Sequence, residues 1–206
     1  MHGPVEDDER AAPAVGAVLA GGRGARIGRN KAMVELAGRP LISYPLAAIE
    51  EAGLEPVVVA KPDTELPALP CRTIREPDVP QHPLCGLVAA LRDAGERPVV
   101  AVACDMPFVS ADLLAWLGSA PEPLVATACR GELQPLLARY DSALLPELET
   151  ALERSEPLRR TVESLRARVI DESELARFGD PQRLCFNVNT ASDLRRAEGL
   201  REAPGR

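Results

Sequence analysis

The sequence predicts an α/β fold: a three-layer, doubly wound domain around a mostly parallel sheet. From residue 14 onward, short apolar runs alternate with segments of helical periodicity, which is typical of βαβ units. The length of 206 residues favours one domain, since domains average about 150 residues. Apolar residues make up 46% of the chain and charged residues 27%, a balance typical of a domain with a buried core.

Seven apolar runs predict strands, and the run after Pro98 is apolar throughout, as a central strand buried on both faces should be. The predicted strands are Val15–Ala20, Glu55–Ala60, Cys71–Ile74, Pro98–Ala103, Leu124–Ala128, Leu133–Arg139 and Arg168–Ile170. Five segments predict helices because an early Pro, or a Ser or Thr, precedes apolar residues at helical spacing. The predicted helices are Pro40–Ala52, Leu84–Ala94, Ser110–Leu117, Ser142–Arg154 and Ala191–Gly199.

The two ends of the chain differ from this pattern. Residues 1–13 mix acidic residues with Gly and Pro and show no periodicity, so we predict a disordered tail. The predicted domain then covers residues 14–200, and residues 201–206 form a C-terminal tail. No apolar stretch approaches the roughly 18 residues of a membrane span, and the acidic N-terminus does not resemble a signal peptide. We therefore expect a cytoplasmic protein without a membrane partner.

The composition excludes several classes of function. A net charge of −7 and 3% aromatic residues argue against a nucleic-acid partner, which requires a basic and often aromatic face. The two histidines, His2 and His82, cannot supply a multi-histidine zinc site, and they leave little material for a Ser/His/Asp triad. Five cysteines without a CxxC pair predict reduced, mostly buried thiols. Lysine occurs only at Lys31 and Lys61, so each lysine position is unusually informative.

A glycine-rich loop follows the first predicted strand. Four glycines occur between Gly21 and Gly28, and the basic residues are Arg23, Arg26, Arg29 and Lys31. The loop contains neither GxxxxGK[ST] nor GxGxxG. Its glycines still let the backbone approach an oxyanion closely. These features favour a polyphosphate site, and the alternative is a flexible loop with a solvated basic face.

Asp105 follows the predicted central strand, where open α/β sheets bind ligands. Mg²⁺ in proteins commonly takes one or two carboxylates and completes its shell with phosphates and waters. One aspartate is therefore enough to hold a substrate-bound magnesium ion. The alternative is an ordinary Asp-x-Pro turn that ends the strand.

The loop and the aspartate together suit nucleotidyl transfer, in which an incoming phosphate attacks the α-phosphorus of a nucleoside triphosphate. A phosphomonoester has a second pKa near 6, so it needs no general base at neutral pH, which agrees with the scarcity of histidine. The protein must position the phosphates and neutralise their charge. Lys31, Arg26, loop N–H groups and an Mg²⁺ ion on Asp105 are the predicted means.

Residues 19–32, LAGGRGARIGRNKA, resemble the LAGGxSxRMGxDK signature of the molybdenum cofactor guanylyltransferase (MobA-like) family. Further blocks that match the family in order are Gly38–Leu41, Pro83–Leu87, Cys104–Phe108, Gln134–Tyr140 and Asn187–Thr190. The resemblance implies a Rossmann-like nucleotidyltransferase fold. It also implies transfer of GMP from GTP to molybdenum-molybdopterin, with release of pyrophosphate.

The resemblance assigns roles to individual residues. It implies that GTP contacts the strand end and the loop at Leu19, Ala20, Gly21, Gly22 and Lys31, and that Asp105 binds Mg²⁺. An acidic nucleotide contact aligns most simply with Glu76, and Asp78 is the alternative. Residues expected near the pterin substrate are Gln134, Asn187 and Asn189. Protein partners left open by the resemblance are molybdenum-insertion proteins and apo-molybdoenzymes.

The chain also departs from the family pattern. Asn30 replaces the aspartate before the lysine, Ile27 replaces a methionine, Ala60 replaces a polar residue, and His82 replaces a glycine. The bulk of His82 could alter the choice of nucleotide. Two alternatives therefore stay open: a related transferase that uses CTP or another phosphorylated acceptor, and a noncatalytic nucleotide-binding protein.

Overall fold

The computed structural model describes residues 12–21, 31–78 and 80–202. The strands are β1 Val15–Leu19, β2 Glu35–Leu36, β3 Arg39–Pro40, β4 Glu55–Ala60, β5 Arg72–Arg75, β6 Val99–Ala103, β7 Leu124–Cys129, β8 Glu132–Tyr140 and β9 Arg168–Ile170. The α-helices are α1 Ser43–Glu51, α2 Pro83–Ala94, α3 Ala111–Ser119, α4 Leu145–Glu153, α5 Leu158–Ser164, α6 Glu172–Leu175, α7 Pro181–Leu184 and α8 Ala191–Glu202. The predicted tail up to residue 11, and the predicted site residues Gly22 and Arg26, lie outside the described residues.

Seven strands form the central sheet in the order β5-β4-β1-β6-β8-β7-β9. The strands β5, β4, β1 and β6 run parallel, whereas β8 is antiparallel to both of its neighbours, and β9 is parallel to β7. This arrangement confirms the predicted mostly parallel sheet. The carboxyl ends of the four adjacent parallel strands lie along one edge, which is where α/β proteins bind their ligands.

Helices cover both faces of the sheet and complete three layers. On one face, α1 and α3 pack through Ile49 and Leu113 against sheet residues that include Val18. On the other face, α2, α4 and α5 pack against Val15 and its neighbours. Val15 and Val18 lie on opposite faces because successive strand residues alternate. Burial on both faces explains why these strands are continuous apolar runs in the sequence.

All seven predicted strands occur, with ends shifted by at most one residue, but several short elements were not predicted. The helix predicted from Pro40 begins at Ser43, because Pro40 lies in the two-residue strand β3. The hairpin of β2 and β3 turns at Ala37 and Gly38, both of which have positive φ. Helices α5, α6 and α7 have four to seven residues, too few to show a clear periodicity. The last helix extends two residues into the predicted C-terminal tail.

Gly16 allows the close approach of α1 to β1, and its replacement tests this packing. A Cβ at Gly16 would overlap the Cγ2 of Ile49, which is fully buried. We expect Gly16→Val to lower the free energy of unfolding by about 1–3 kcal/mol through overpacking. Urea denaturation measures this change. In the matched control Gly199→Ala, on the exposed side of α8, a Cβ meets nothing within 4 Å, so stability should hold or rise. A wild-type midpoint for Gly16→Val would contradict the packing described here.

Candidate active site

A cavity of about 290 Å³ opens at the carboxyl ends of the parallel strands. We call it the strand-end cavity. Its wall includes Leu19 at the end of β1, Gly21 shortly after it, Lys61 after β4 and Glu76 after β5. Asp105 after β6, Lys31, and His82 before α2 also contribute to the wall. Four neighbouring strands therefore each bring residues to the same cavity.

Lys31, Asp105 and Asn189 meet at this cavity although they are far apart in the sequence. The Nζ of Lys31 lies 2.5 Å from Oδ2 of Asp105 and 2.6 Å from Oδ1 of Asn189. The Asp105 side chain is only 10% exposed. The main-chain N–H of Val188 donates to the carbonyl oxygen of Asp105 at 2.9 Å, which fixes the Asn189 segment beside the end of β6. A cation, a carboxylate and an amide thus form one polar cluster.

Asp105 fits the predicted magnesium ion as a single carboxylate ligand. Within the part of the chain that the structure describes, no group of three or more His, Cys, Asp or Glu side chains is arranged to hold a metal ion. An ion at this site would therefore depend on substrate phosphates and water for its other ligands, which is how Mg²⁺ commonly binds. Asp105 offers a hard oxygen donor at the cavity wall, and its ion pair with Lys31 engages Oδ2.

Of the two candidate acidic residues, Glu76 lines the cavity and Asp78 does not. Glu76 is 5% exposed, and its carboxylate fills a slot between Gly21 and Gly86. A Cβ at Gly21 would overlap Oε1, and a Cβ at Gly86 would lie 2.9 Å from Oε2. Burial raises the pKa of Glu76, and the nearby ammonium of Lys61 acts against that rise. The Asp78 side chain is exposed to solvent.

Lys61 is a cavity residue that sequence reasoning did not place in the site. Its side chain is 9% exposed, and its Nζ lies 3.7 Å from Oε1 of Glu76. Lys61 follows β4 directly, at the same edge as the other strand-end residues. The sequence signal that could have found Lys61 is the scarcity of lysine, which occurs only at Lys31 and Lys61. Both lysines line this cavity.

The two departures from the family pattern that the structure describes have different surroundings. Ala60 is fully buried at the end of β4, and its carbonyl accepts the main-chain N–H of Glu76 at 3.0 Å. His82 caps helix α2, since its Nδ1 accepts the N–H of Leu84 at 3.2 Å. Burial lowers the pKa of His82, which favours the neutral ring that this cap requires. His82 therefore has a structural role at the cavity wall.

The remaining predicted nucleotide contacts lie at the end of β1. Leu19 and Gly21 line the strand-end cavity. Ala20 is buried between them, and its N–H donates to the carbonyl of Val59 at 2.8 Å. The described part of the predicted GTP-binding segment is thus next to Glu76.

A second cavity, of about 400 Å³, lies at the ends of β7 and β8 and beside the segment before α8. Its wall includes Gln134 of β8, Asn187, Arg130 and Arg196. Of the three predicted pterin residues, Gln134 and Asn187 line this second cavity, whereas Asn189 contacts Lys31. Strand β8 contributes to both cavities, since Leu136 lines the strand-end cavity and Gln134 lines the second one.

The remaining sequence prediction described by the structure concerns the cysteines. All five cysteines are free, and four of them are buried. Phe108 and Trp116 are partly buried and pack against hydrophobic clusters. Among the described helices, none is both long enough and apolar enough to cross a membrane.

An open α/β sheet with a cation, a carboxylate and a glycine-lined slot at its strand ends defines an α/β protein of the nucleotide-binding class. Residues 16–169 match the family model of the MobA-like NTP transferase domain. The chain therefore belongs to the MobA-like NTP transferase family, and the family resemblance of the sequence motifs is confirmed.

Curated relatives and a solved structure agree with this assignment. The chain is 30% identical to the probable molybdenum cofactor guanylyltransferase of Pelotomaculum thermopropionicum over 92% of its length and 94% of that protein. It is 33% identical to the molybdenum cofactor guanylyltransferase of Rhizobium johnstonii, with 91% and 93% coverage. The crystal structure of molybdopterin-guanine dinucleotide biosynthesis protein A from Archaeoglobus fulgidus superposes with a TM-score of 0.76, at 29% identity and with 90% and 97% coverage.

Proposed function

We propose that this protein transfers GMP from GTP to molybdenum-molybdopterin, which yields the guanine dinucleotide form of the cofactor and pyrophosphate. The observation that carries the proposal is the polar cluster of Lys31, Asp105 and Asn189 at the strand-end cavity. The names of the relatives in this family support the choice of substrates.

The nucleotide fits the strand-end cavity in one direction. Glu76 follows β5 and Asp105 follows β6, and three strand spacings of about 4.8 Å separate these strands, about 14 Å in total. The triphosphate belongs at the end where Lys31 lies beside Asp105, the predicted magnesium ligand, because the ammonium of Lys61 at the other end is engaged by Glu76 and the carbonyls of Pro77 and Asp78. The base then lies toward Glu76, whose carboxylate can accept hydrogen bonds from the imino and amino groups of guanine. Cytosine has no imino donor, so this carboxylate favours GTP over CTP.

The acceptor phosphate attacks the α-phosphorus of GTP in line with the departing pyrophosphate. One P–O bond to the acceptor oxygen forms, and the bond from the α-phosphorus to the bridging oxygen breaks. The ammonium of Lys31 faces the phosphates and offsets their negative charge, and Asn189 holds that ammonium in place. Asp105 would hold Mg²⁺, which supplies further charge neutralisation when bound. No side chain needs to remove a proton, because the acceptor phosphate is largely dianionic at neutral pH.

The pterin acceptor fits the second cavity. The side-chain amides of Gln134 and Asn187 lie in its wall and can pair with the polar edge of a pterin. The guanidinium groups of Arg130 and Arg196 add positive charge for an anionic substrate. A molybdenum-insertion protein or an apo-molybdoenzyme would exchange the pterin at this cavity.

A direct assay tests the proposed reaction. The purified protein, incubated with GTP, Mg²⁺ and molybdenum-loaded molybdopterin, should release pyrophosphate, and chelation of Mg²⁺ should stop the release. A well-folded protein that releases none would contradict the proposal.

Thermal unfolding with each of the four nucleoside triphosphates tests the choice of base. GTP at 100 times its Kd should stabilise the protein by about 2.7 kcal/mol. CTP at the same concentration should stabilise it less, because Glu76 finds no imino donor on cytosine. Equal or greater stabilisation by CTP would favour the cytidylyl alternative.

A further inference from the structure

Lys61 connects the end of β4 to the segment that carries Glu76. Its Nζ donates hydrogen bonds to the carbonyl oxygens of Pro77 at 3.0 Å and Asp78 at 3.1 Å. The same ammonium lies 3.7 Å from Oε1 of Glu76. Arg75 donates in turn to the main-chain oxygen of Lys61 at 2.8 Å. The buried ammonium of Lys61 therefore fixes the position of the Glu76 segment and also stabilises the negative charge of the Glu76 carboxylate.

The Glu76 carboxylate needs such a partner because of where it lies. It is 5% exposed, and Gly21 and Gly86 leave space for its two oxygens at the cavity wall. A buried carboxylate without a cation takes up a proton, since burial disfavours its charged form. Burial indeed raises the pKa of Glu76, and Lys61 lowers it through charge and hydrogen bonding.

The other titratable groups near Glu76 do not replace Lys61. The buried thiol of Cys85 faces Glu76 from helix α2, and the carboxylate contributes to the raised pKa of that thiol. His82 lines the same cavity with a lowered pKa and caps α2. Lys31 and Asp105 also line the cavity, but the ammonium of Lys31 is engaged by Asp105 and Asn189.

We propose that Lys61 is a positioning residue for nucleotide selection, which keeps the Glu76 carboxylate charged and directed at the guanine edge. This inference rests on the proposed function and adds one of its specificity determinants. Without the ammonium, burial shifts the Glu76 carboxyl toward its neutral form. A neutral acid presents an O–H donor and one carbonyl acceptor, so it pairs poorly with the two donors of guanine.

Substitution of Lys61 by Met removes the charge and keeps the length of the side chain. We expect Lys61→Met to raise the KM for GTP by about tenfold at pH 7, the loss expected when a hydrogen bond to a charged group is weakened, and to leave kcat nearly unchanged. The affinity of Lys61→Met for GTP should increase as the pH rises through the elevated pKa of Glu76. Lys61→Arg retains the charge and should restore wild-type behaviour.

Inosine triphosphate (ITP) lacks the 2-amino group of guanine, so the preference for GTP over ITP reports on the contact between Glu76 and the guanine edge. A purely structural role of Lys61 would leave this preference unchanged. The wild-type preference for GTP over ITP should fall sharply in Lys61→Met. In Glu76→Gln, the further change Lys61→Met should cause no additional loss, because Lys61 acts through Glu76. If Lys61→Met does not fold, Lys61→Gln serves instead, since its amide can donate to the backbone carbonyls without a charge.

The outcomes separate this inference from the proposed function. A wild-type protein that binds no GTP would refute the proposed function. A wild-type protein that binds GTP, together with a folded Lys61→Met variant of unchanged GTP/ITP preference and pH profile, would refute the role of Lys61 alone. Additive losses in the double variant would also refute it.

Discussion

Asp105→Asn is expected to lower kcat by about 10³-fold, or about 4 kcal/mol of transition-state stabilisation. The change preserves the size of the side chain but removes the charge that pairs with Lys31 and that would hold Mg²⁺. Pyrophosphate release at saturating GTP measures the loss. The remaining activity should require a higher Mg²⁺ concentration, because an amide oxygen binds a hard cation more weakly than a carboxylate does.

The matched control for this variant is Asp112→Asn. Asp112 is an exposed residue on α3 and contributes to the wall of neither cavity. Its replacement should leave turnover unchanged. Thermal unfolding shows whether both variants are folded. Wild-type turnover of a folded Asp105→Asn protein would disprove the metal assignment, and a wild-type protein without turnover would favour the noncatalytic alternative.

Lys31→Ala is expected to lower kcat/KM for GTP by about 10²-fold, which corresponds to about 2.7 kcal/mol. The ammonium is the described group best placed to meet the phosphates, since it lies between Asp105 and Asn189 at the cavity wall. Steady-state kinetics over a series of GTP concentrations separates weaker binding from slower chemistry. Lys31→Arg should recover part of the loss, because it restores the charge without the same geometry.

Two further measurements test whether the Lys31→Ala result reflects a lost phosphate contact or only the change in net charge. Arg159→Ala removes a positive charge from the exposed face of α5, so it controls for the change in net charge and should have no effect. GTP should bind Lys31→Ala more weakly than it binds the wild type, and this difference should be largest at low salt, where electrostatic contributions are largest. Unchanged kcat/KM in Lys31→Ala would mean that other groups hold the triphosphate.

The predicted strands β1, β4 and β6 agree with the structure because central parallel strands covered on both faces leave a clear apolar signal. The strand β6 is one such run, and it delivers Asp105 to the sheet edge where the sequence placed it. The hairpin of β2 and β3 was not predicted, because two-residue strands show no alternation. For the same reason, Pro40 was assigned to a helix although it lies in β3.

The chemistry of the site was readable from residue types after the first and the central strand. Both motifs follow predicted strands, so the sequence predicts that Lys31 and Asp105 share a site; the structure shows that β1 and β6 are adjacent and parallel and that the two side chains pair. The role of Lys61 was not readable, because its partners belong to the segment after the neighbouring strand β5. The scarcity of lysine in the sequence singles out Lys61 but does not indicate which residues it contacts.

The local sequence pattern therefore determines the strands, the α/β class and the identity of the charged groups at the strand ends, because each of these depends on residues that are close together in the sequence. Tertiary packing alone places Glu76 at the cavity wall and leaves Asp78 exposed, because the slot between Gly21 and Gly86 is built from segments distant in sequence. It likewise separates Asn187, which lines the second cavity, from Asn189, which contacts Lys31. Contacts between distant segments depend on strand order and helix placement, and these are fixed only when the whole core packs.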